Sequence, residues 1–392
     1  MNGQAVGRWW LERRSQQRFV YEPGWLEHPL RRPISLALPL RPRAYAGREV
    51  AHYFEALLPS CPEVRSRLER CFAVSSAGPL DLLAQLGRDC VGALQFLPPE
   101  EEARPAGGVS GIALSPASLH KLLGLLHRAE SFRSLKEGLR HCLPGRSPKA
   151  ALLKRQGQWF LPDQWTATSH IVRLASGSYC PWSHWLYLKL LQGFGTTTAH
   201  CQLLELAEGE VALVAERFDR RWCDSGQKLM RLPCEDIRQA LGPRSRGLHP
   251  LEEIRRVLAL LVGSSRAEDR ERFLRRLLLQ ALLGGPALKA LRTSLFIEAG
   301  GRFRLAPAFH YRAALDSEPP LPLTAWLDAG QTWRTRSLVL KLLKELLEQR
   351  AAALERAESG LPQGFPAKLW DTTRRNIQFR AERLEEELTC SC

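Results

Sequence analysis

Hydrophobic positions change their spacing along the chain, from short extended runs in the first half to helical spacing in the second. The first half predicts strands at 6–8, 19–21, 33–40, 150–153, 158–162, 170–174 and 211–214. The two runs on either side of Gly157 have the pattern of a β-hairpin. Helical spacing between the strands predicts helices at about 50–58, 79–86 and 115–139.

Beyond Gly242 the pattern is helical. Leucines recur at helical spacing, with charged residues between them, in 250–263, 268–283, 334–358 and 367–388. Such stripes are typical of amphipathic helices that pack against one another. Residues 97–108 are rich in Pro, Gly and charge, which predicts a linker. A strand-rich front half followed by a helical back half indicates an α+β protein.

Composition supports a globular protein. The chain has 392 residues, of which 44% are apolar, enough to bury a sizeable core. No apolar run is long enough to span a membrane and the start lacks a secretory signal, so we expect a soluble cytoplasmic protein with no membrane partner. The ten cysteines are scattered without the paired spacing of a metal site, and we expect reduced thiols.

Net charge is the most unusual feature of the composition. The chain carries 56 basic residues against 41 acidic ones, a formal charge of +15. Such an excess attracts polyanions and is compatible with nucleic-acid binding. Arginine richness can equally reflect a GC-rich genome, so charge alone assigns no function.

A set of short motifs extends over nearly the whole chain. They include Pro33, Ser35 and Leu36 before Leu38, Pro39 and Leu40; Gly87-Arg88-Asp89 before Gly92-Ala93; Thr168 and His170-Ile171; and, the most specific, the run from Glu216 to Trp222. With these motifs the chain resembles the HipA family, the serine/threonine kinase toxins of bacterial toxin–antitoxin pairs.

The resemblance implies a bilobal, protein-kinase-like α+β fold, with a strand-rich N-terminal lobe and an all-helical C-terminal lobe. On this basis we divide the chain into four parts: a HipA N-terminal subdomain at 1–97, a linker at 98–112, the nucleotide-cleft part of the N-terminal lobe at 113–245, and the helical lobe at 246–392.

The resemblance also assigns candidate nucleotide-binding residues. Arg173 replaces the lysine that grips the nucleotide phosphates in the family, and Lys149 ends the phosphate-loop motif that begins at Gly145. Glu216 and Phe218 match residues whose backbone meets the adenine edge. A second interpretation of the run around Arg217 is structural, with its charges pairing to hold the lobes together.

Four positions that carry the chemistry of the family are changed. Ala287 stands in place of the catalytic aspartate, Lys289 in place of a histidine, Arg292 in place of the metal-binding asparagine and His310 in place of the second metal-binding aspartate. Alanine cannot accept a proton from a hydroxyl. Mg²⁺ requires oxygen ligands, which arginine and histidine do not supply. The helix position that presents an acid in the family carries His184.

These substitutions predict a pseudokinase that has no catalytic residues and binds no metal. The resemblance implies a helix-turn-helix antitoxin of the HipB kind as its partner, and operator DNA through that partner. One alternative is a cleft lined by Lys149, Arg173, Lys289, Arg292 and His310 that binds ATP or another polyphosphate without Mg²⁺. Another is an active kinase or nucleotidyl transferase that uses non-standard residues.

Overall fold

The computed structural model describes residues 1–12, 16–105, 107–128, 143–144, 149–175, 180–206, 209–245, 247–284, 293–309, 325–328 and 334–391. The chain forms two compact units that interleave along the sequence. Unit 1 comprises Met1–Tyr179, Gln202–Arg244 and Leu295–Phe303. Unit 2 comprises Cys180–Cys201, Ser245–Ser294 and Arg304–Cys392.

Unit 1 begins with a small antiparallel sheet in the order β1-β2-β3. Its strands are β1 (Gly7–Leu11), β2 (Gln17–Tyr21) and β3 (Tyr45–Ala46), followed or interrupted by helices α1 (Pro23–Glu27), α2 (Arg48–Glu55), α3 (Pro62–Phe72) and α4 (Pro79–Leu86). Alternate β2 residues face an aromatic core, in which Trp9 stacks on Phe54 with ring centroids 4.0 Å apart.

The larger sheet of unit 1 has six strands in the order β4-β6-β5-β7-β9-β8. Their bounds are β4 (Gly111–Leu114), β5 (Lys149–Arg155), β6 (Gln158–Pro162), β7 (His170–Arg173), β8 (Cys201–Glu205) and β9 (Val211–Glu216). Helix α5 (Pro116–Arg128) packs on one face, where Leu123 meets a core that includes Leu152 and Val172. The predicted hairpin around Gly157 is confirmed as β5 and β6.

Two smaller strand pairings complete the sheets of the described chain. Strands β10 (Arg220–Cys223) and β11 (Lys228–Arg231) form a hairpin, and β12 (Cys234–Asp236), β13 (Ser294–Ile297) and β14 (Phe303–Leu305) form a three-stranded sheet. Asp236 then caps helix α7 (Ile237–Leu241) through a reciprocal capping box with Gln239.

Unit 2 is mainly helical. Its helices are α6 (Pro181–Gly193), α8 (Pro250–Leu260), α9 (Asp269–Leu282), α10 (Arg336–Ser359) and α11 (Ala367–Ser391). Helix α10 packs against α6, α9 and α11, and Glu345 on α10 pairs with Arg275 on α9 at 2.9 Å. The four leucine stripes are thereby confirmed as helices. No helix among the described residues is both long and apolar enough to span a membrane.

Two predictions about elements were wrong. Residues 246–392 are not all helical, because the short run Ser294–Ile297 is fully buried and pairs as a strand with β12, and β14 follows it. Residues 33–40 do not form a strand. The Leu38 N–H donates to the Ser35 carbonyl at 3.0 Å, so this segment closes a turn instead.

Candidate functional site

Lys149 and Arg173 lie directly opposite each other at the ends of neighbouring strands β5 and β7. Residues that face each other across an antiparallel pair have Cβ atoms about 4.5–5.5 Å apart and project on the same side of the sheet. Their neighbours Ala150 and Val172 belong to the core beneath α5, so the two cations project from the opposite face. Like charges in this arrangement repel, and an anion between them would relieve the repulsion.

Lys149 also contacts the short described segment 143–144. Its Nζ donates a hydrogen bond to the carbonyl of Pro144, which belongs to the short described segment before β5. Both Lys149 and Arg173 are half-buried, so an anion bound there would be partly shielded from water. The structure thus brings together the two basic residues that were predicted to bind phosphate.

The predicted adenine-binding residues lie at the end of β9, on the same sheet. Glu216 is exposed and faces His170 across the β7–β9 pair. Phe218 is half-buried, with its ring edge-on to Phe296 at a centroid distance of 5.8 Å. Between them, the Arg217 N–H donates to the Ser169 carbonyl at 2.8 Å, which extends the strand pairing by one step.

Behind this strand end lies a buried group of charges, here called the Asp89 cluster. Its members come from three separate stretches of the chain: Asp89, Arg217, Asp219, Arg220 and Arg231. All five are buried, with Arg217 only 2% and Asp219 only 3% exposed.

Asp89 is the centre of the cluster. Its Oδ1 accepts from Arg220 at 2.8 Å and from Arg231 at 3.0 Å, and its Oδ2 accepts from Arg217 at 2.9 Å. The same Oδ2 accepts from the Thr168 hydroxyl at 2.6 Å and from the Thr168 N–H at 3.2 Å. Asp89 therefore joins the start of β7, the end of β9 and the β10–β11 hairpin.

Asp219 forms the second acidic member. It accepts two bonds from Arg217, at 3.0 and 2.8 Å, and lies 2.9 Å from Arg220. Its Oδ2 also accepts from the Gly92 N–H at 2.8 Å, and Arg220 donates to the Gly92 carbonyl at 2.9 Å. The bidentate pairing with Arg217 is the strongest geometry available to a guanidinium and a carboxylate.

Electrostatics keep the cluster ionised. Burial by itself would raise the pKa of Asp89, but Arg220, Arg217 and Arg231 outweigh that effect and hold the pKa well below its usual range. Burial opposes Asp219 in the same way, and Arg217 and Arg220 lower its pKa. Burial would lower the pKa of Arg217, whereas Asp219 and Asp89 raise it above its ordinary value.

Two interpretations were given for residues 216–222: adenine binding, and pairing of the charges around Arg217. The charge pairing is observed. Arg217, Asp219 and Arg220 are occupied by internal ion pairs, and these pairs join parts of unit 1. The sequence analysis missed the role of Asp89. Asp89 could have been found from the sequence, because both Arg88-Asp89 and 216–222 combine arginine with acidic residues and directly follow apolar segments.

Two polar residues of unit 2 have structural partners. His184 is buried on α6, and its Nε2 lies 3.0 Å from the Phe309 carbonyl oxygen. Asp269, which the sequence analysis did not single out, is fully buried at the start of α9. Its Oδ2 accepts from the Ser264 hydroxyl at 2.6 Å and from the Leu305 N–H at 2.7 Å.

The four positions predicted to replace the catalytic and metal-binding residues of the family, Ala287, Lys289, Arg292 and His310, lie outside the described residues. Among the residues that are described, no three His, Cys, Asp or Glu side chains gather closely enough to hold a metal ion. The donor set at 292 and 310 is an arginine and a histidine, which does not fit Mg²⁺.

Comparison with known proteins identifies the domains of the chain. The family model described as the HipA N-terminal domain matches residues 1–97, and the HipA-like C-terminal domain matches residues 142–377. A curated protein of Sinorhizobium fredii (strain NBRC 101917 / NGR234), named "Putative kinase Y4mE", is 31% identical over 247 residues. That match covers 62% of this chain and 58% of the relative, so it spans little more than half of the relative's length.

A solved structure extends the likeness to the whole chain. It is a chain of the Shewanella oneidensis MR-1 toxin–antitoxin complex of HipA, HipB and operator DNA. It matches with a TM-score of 0.81 and 17% identity, over 98% of this chain and 96% of that one. At this low identity, the structural similarity establishes the fold alone, which is the α+β kinase-like fold. Because the C-terminal domain model alone matches more than half of its length, this chain belongs to the HipA family.

Proposed function

We propose that this chain is a HipA-type pseudokinase, which binds its partners and ligands without transferring phosphate. The observation that supports this most strongly is the absence of any aspartate or glutamate between Gly284 and Glu298, where the family has its catalytic acid. Phosphoryl transfer depends on positioning and on charge stabilisation by an acid and by metal ions. Ala287 has no acidic group, and Arg292 supplies no oxygen ligand for a metal ion.

The test is the intact mass of the protein after incubation with ATP and Mg²⁺, alone and with a helix-turn-helix protein encoded beside its gene. We expect no added phosphoryl or nucleotidyl group on either protein. An increase by either group would instead establish an active enzyme with non-standard residues, and its site could then be mapped by peptide mass spectrometry.

The proposed role is regulatory, with a HipB-like antitoxin and operator DNA as partners. The support is the family membership, the fold shared with a chain from a HipA, HipB and DNA complex, and the charge of +15. Co-purification with the adjacent helix-turn-helix protein, followed by a gel-shift titration on its operator over a salt series, tests this role. Failure to co-elute at low salt would exclude it.

A second candidate function, metal-independent binding of a nucleotide or polyphosphate, is favoured by the register of Lys149 and Arg173. Two cations at facing positions can each donate charge-assisted hydrogen bonds to phosphate oxygens, and arginine can bind them in a fork. In this proposal, the side chains neutralise the phosphate charge that Mg²⁺ neutralises in kinases.

Calorimetric titration with ATP in excess chelator tests the second candidate. We expect the double variant K149A/R173A to bind at least about tenfold more weakly than the native chain, because charged hydrogen bonds each contribute about 1.5–3 kcal/mol. The control is Lys154→Ala, which removes a lysine of the same strand that lies against Trp159. Equal affinities for all three proteins would exclude this site.

A further inference from the structure

The Asp89 cluster crosses the boundary between the two matched family domains. Asp89 belongs to residues 1–97, here called the N-terminal module, whereas its partners Thr168, Arg217 and Arg231 belong to the HipA-like C-terminal domain. Gly92, also in the N-terminal module, donates to Asp219. The N-terminal module thus supplies a carboxylate that pairs with Arg217, Arg220 and Arg231, and a backbone N–H that donates to Asp219.

The charges that the module neutralises flank the candidate adenine-binding residues. Along residues 216–219 the side chains alternate: Glu216 is exposed, Arg217 is buried, Phe218 is half-buried and Asp219 is buried. Residues 217–220 form a turn, in which the Arg220 N–H donates to the Arg217 carbonyl at 3.1 Å. Because Arg217 and Asp219 lie on either side of Phe218, holding both side chains in the cluster fixes the backbone that follows Glu216 and carries Phe218.

Asp89 also fixes the strand beside this segment. Its Oδ2 accepts from both the hydroxyl and the N–H of Thr168, two residues before β7 begins. The carbonyl of the next residue, Ser169, accepts the Arg217 N–H. The Ser169 Oγ accepts from the Lys154 N–H of β5 at 2.8 Å. One carboxylate thus anchors the chain on both sides of the β7–β9 pairing.

We propose that Asp89 is a positioning residue for the 216–218 segment, so that nucleotide binding at this sheet depends on the N-terminal module. This inference rests on the proposed nucleotide binding and names what controls it. A ligand or partner that shifts the N-terminal module would then change nucleotide affinity without touching the nucleotide. The coupling would act in both directions, since linkage between two binding sites is reciprocal.

The test compares variants of the Asp89 cluster with a variant of the N-terminal module's apolar core. Asp89→Asn keeps the size of the side chain and removes its charge. Thr168→Val is a milder variant that removes the hydroxyl bonded to both Asp89 and Arg217. The control, Leu83→Ala, opens a cavity in the core of the N-terminal module and removes no charged or polar group of the cluster. All are measured at a temperature where circular dichroism shows the folded state.

In excess chelator, we expect Asp89→Asn to raise the ATP dissociation constant about tenfold, as when only a tenth of the molecules keep the binding geometry. Thr168→Val should raise it less, and Leu83→Ala should leave it unchanged. A folded Asp89→Asn or Thr168→Val protein that binds like the native chain would overturn the proposal. So would a Leu83→Ala protein weakened as much as Asp89→Asn.

Hydrogen exchange tests positioning without any nucleotide, which separates failure of this inference from failure of the proposed function. We expect faster exchange at the amides of Arg217 and Arg220 in Asp89→Asn, and native-like exchange there in Leu83→Ala. If the native chain binds no ATP, the nucleotide proposal fails and so does the coupling to it. If it binds and these amides exchange alike in all proteins, only the positioning role of Asp89 fails.

Discussion

At the scale of single residues, the largest surprise is the number of charges buried in unit 1. Besides the Asp89 cluster, Glu235 on β12 is fully buried. Its Oε1 accepts from the Leu36 N–H at 2.8 Å, and Oε2 has no hydrogen-bond partner among the described residues. Burial raises the pKa of Glu235 to about 8, only partly offset by its hydrogen bonds to Leu36 and Ser35. The carboxyl is therefore largely protonated at neutral pH.

This position gives a signed prediction for stability against pH. The folded pKa of Glu235 is raised from 4.5 to about 8, so the folded state binds more protons than the unfolded chain between these values. Its contribution to stability is therefore fully present below pH 4.5 and is lost as pH rises through 8. Groups that interact with Glu235 are Tyr21, Tyr53, Cys234 and Asp236.

Glu235→Gln replaces the carboxyl by an uncharged group of the same size. We expect its thermal midpoint, relative to the native chain, to rise by several degrees between pH 5 and pH 9, since ionisation costs about 1.4 kcal/mol per pH unit in this window. The exposed Glu210→Gln should show no such trend. A Glu235→Gln difference that is the same at both pH values would contradict the buried, protonated carboxyl.

At the scale of elements, local patterns predicted most of the secondary structure. The hairpin at Gly157 and the leucine-striped helices depend on neighbouring residues, which is why periodicity predicts them. Strand β13 was missed because it pairs with β12, about 60 residues earlier in the sequence, and a four-residue apolar run has no distinctive period. Strand β14, which pairs with β13, is only three residues long and has no period to detect. Lys149 and Arg173 lie opposite each other because of the register of β5 and β7. Resemblance to a family can suggest that register, but the spacing of residues along the chain cannot.

The turn that contains Gly92 offers a test at this scale. Gly92 has a φ of +78°, and a Cβ there would lie 2.6 Å from the Cys234 carbonyl oxygen, which belongs to β12. We expect Gly92→Ala to lower the free energy of unfolding by roughly 1–3 kcal/mol, through backbone strain and loss of the close approach to β12. Urea denaturation followed by circular dichroism measures this change.

Gly108→Ala is the matched control, because a Cβ at Gly108 would meet no atom within 4 Å. We expect it to change the free energy of unfolding by less than about 0.5 kcal/mol. Equal effects of the two substitutions would show that the approach of Gly92 to β12 is not a constraint on this fold.

At the scale of the whole molecule, the sequence predicted the fold class and the family, because the motifs extend over nearly all of the chain. The candidate phosphate-binding pair was also predicted, and the structure places both residues on one sheet. The interleaving of the two units was not foreseeable. Residues 180–201, in the middle of the strand-rich half, belong to unit 2, since α6 is buried on nearly all sides and packs against α10, more than a hundred residues later.

For the whole molecule we propose that a kinase-like fold keeps a basic ligand site and does not transfer phosphate. In this proposal, Arg173 and Lys149 supply the charge that attracts a polyphosphate, and Ala287 has no group that could align an attacking hydroxyl. We therefore expect the protein to bind ATP without transferring any part of it, and a single measurement can test both.

That measurement is filter retention of ATP labelled at either the α- or the γ-phosphate, before and after acid denaturation, in chelator and in Mg²⁺. The account predicts that native protein retains both labels in chelator, and that denaturation releases them completely under either condition. A label that survives denaturation would reveal covalent transfer and contradict the account. So would the absence of any label on the native protein.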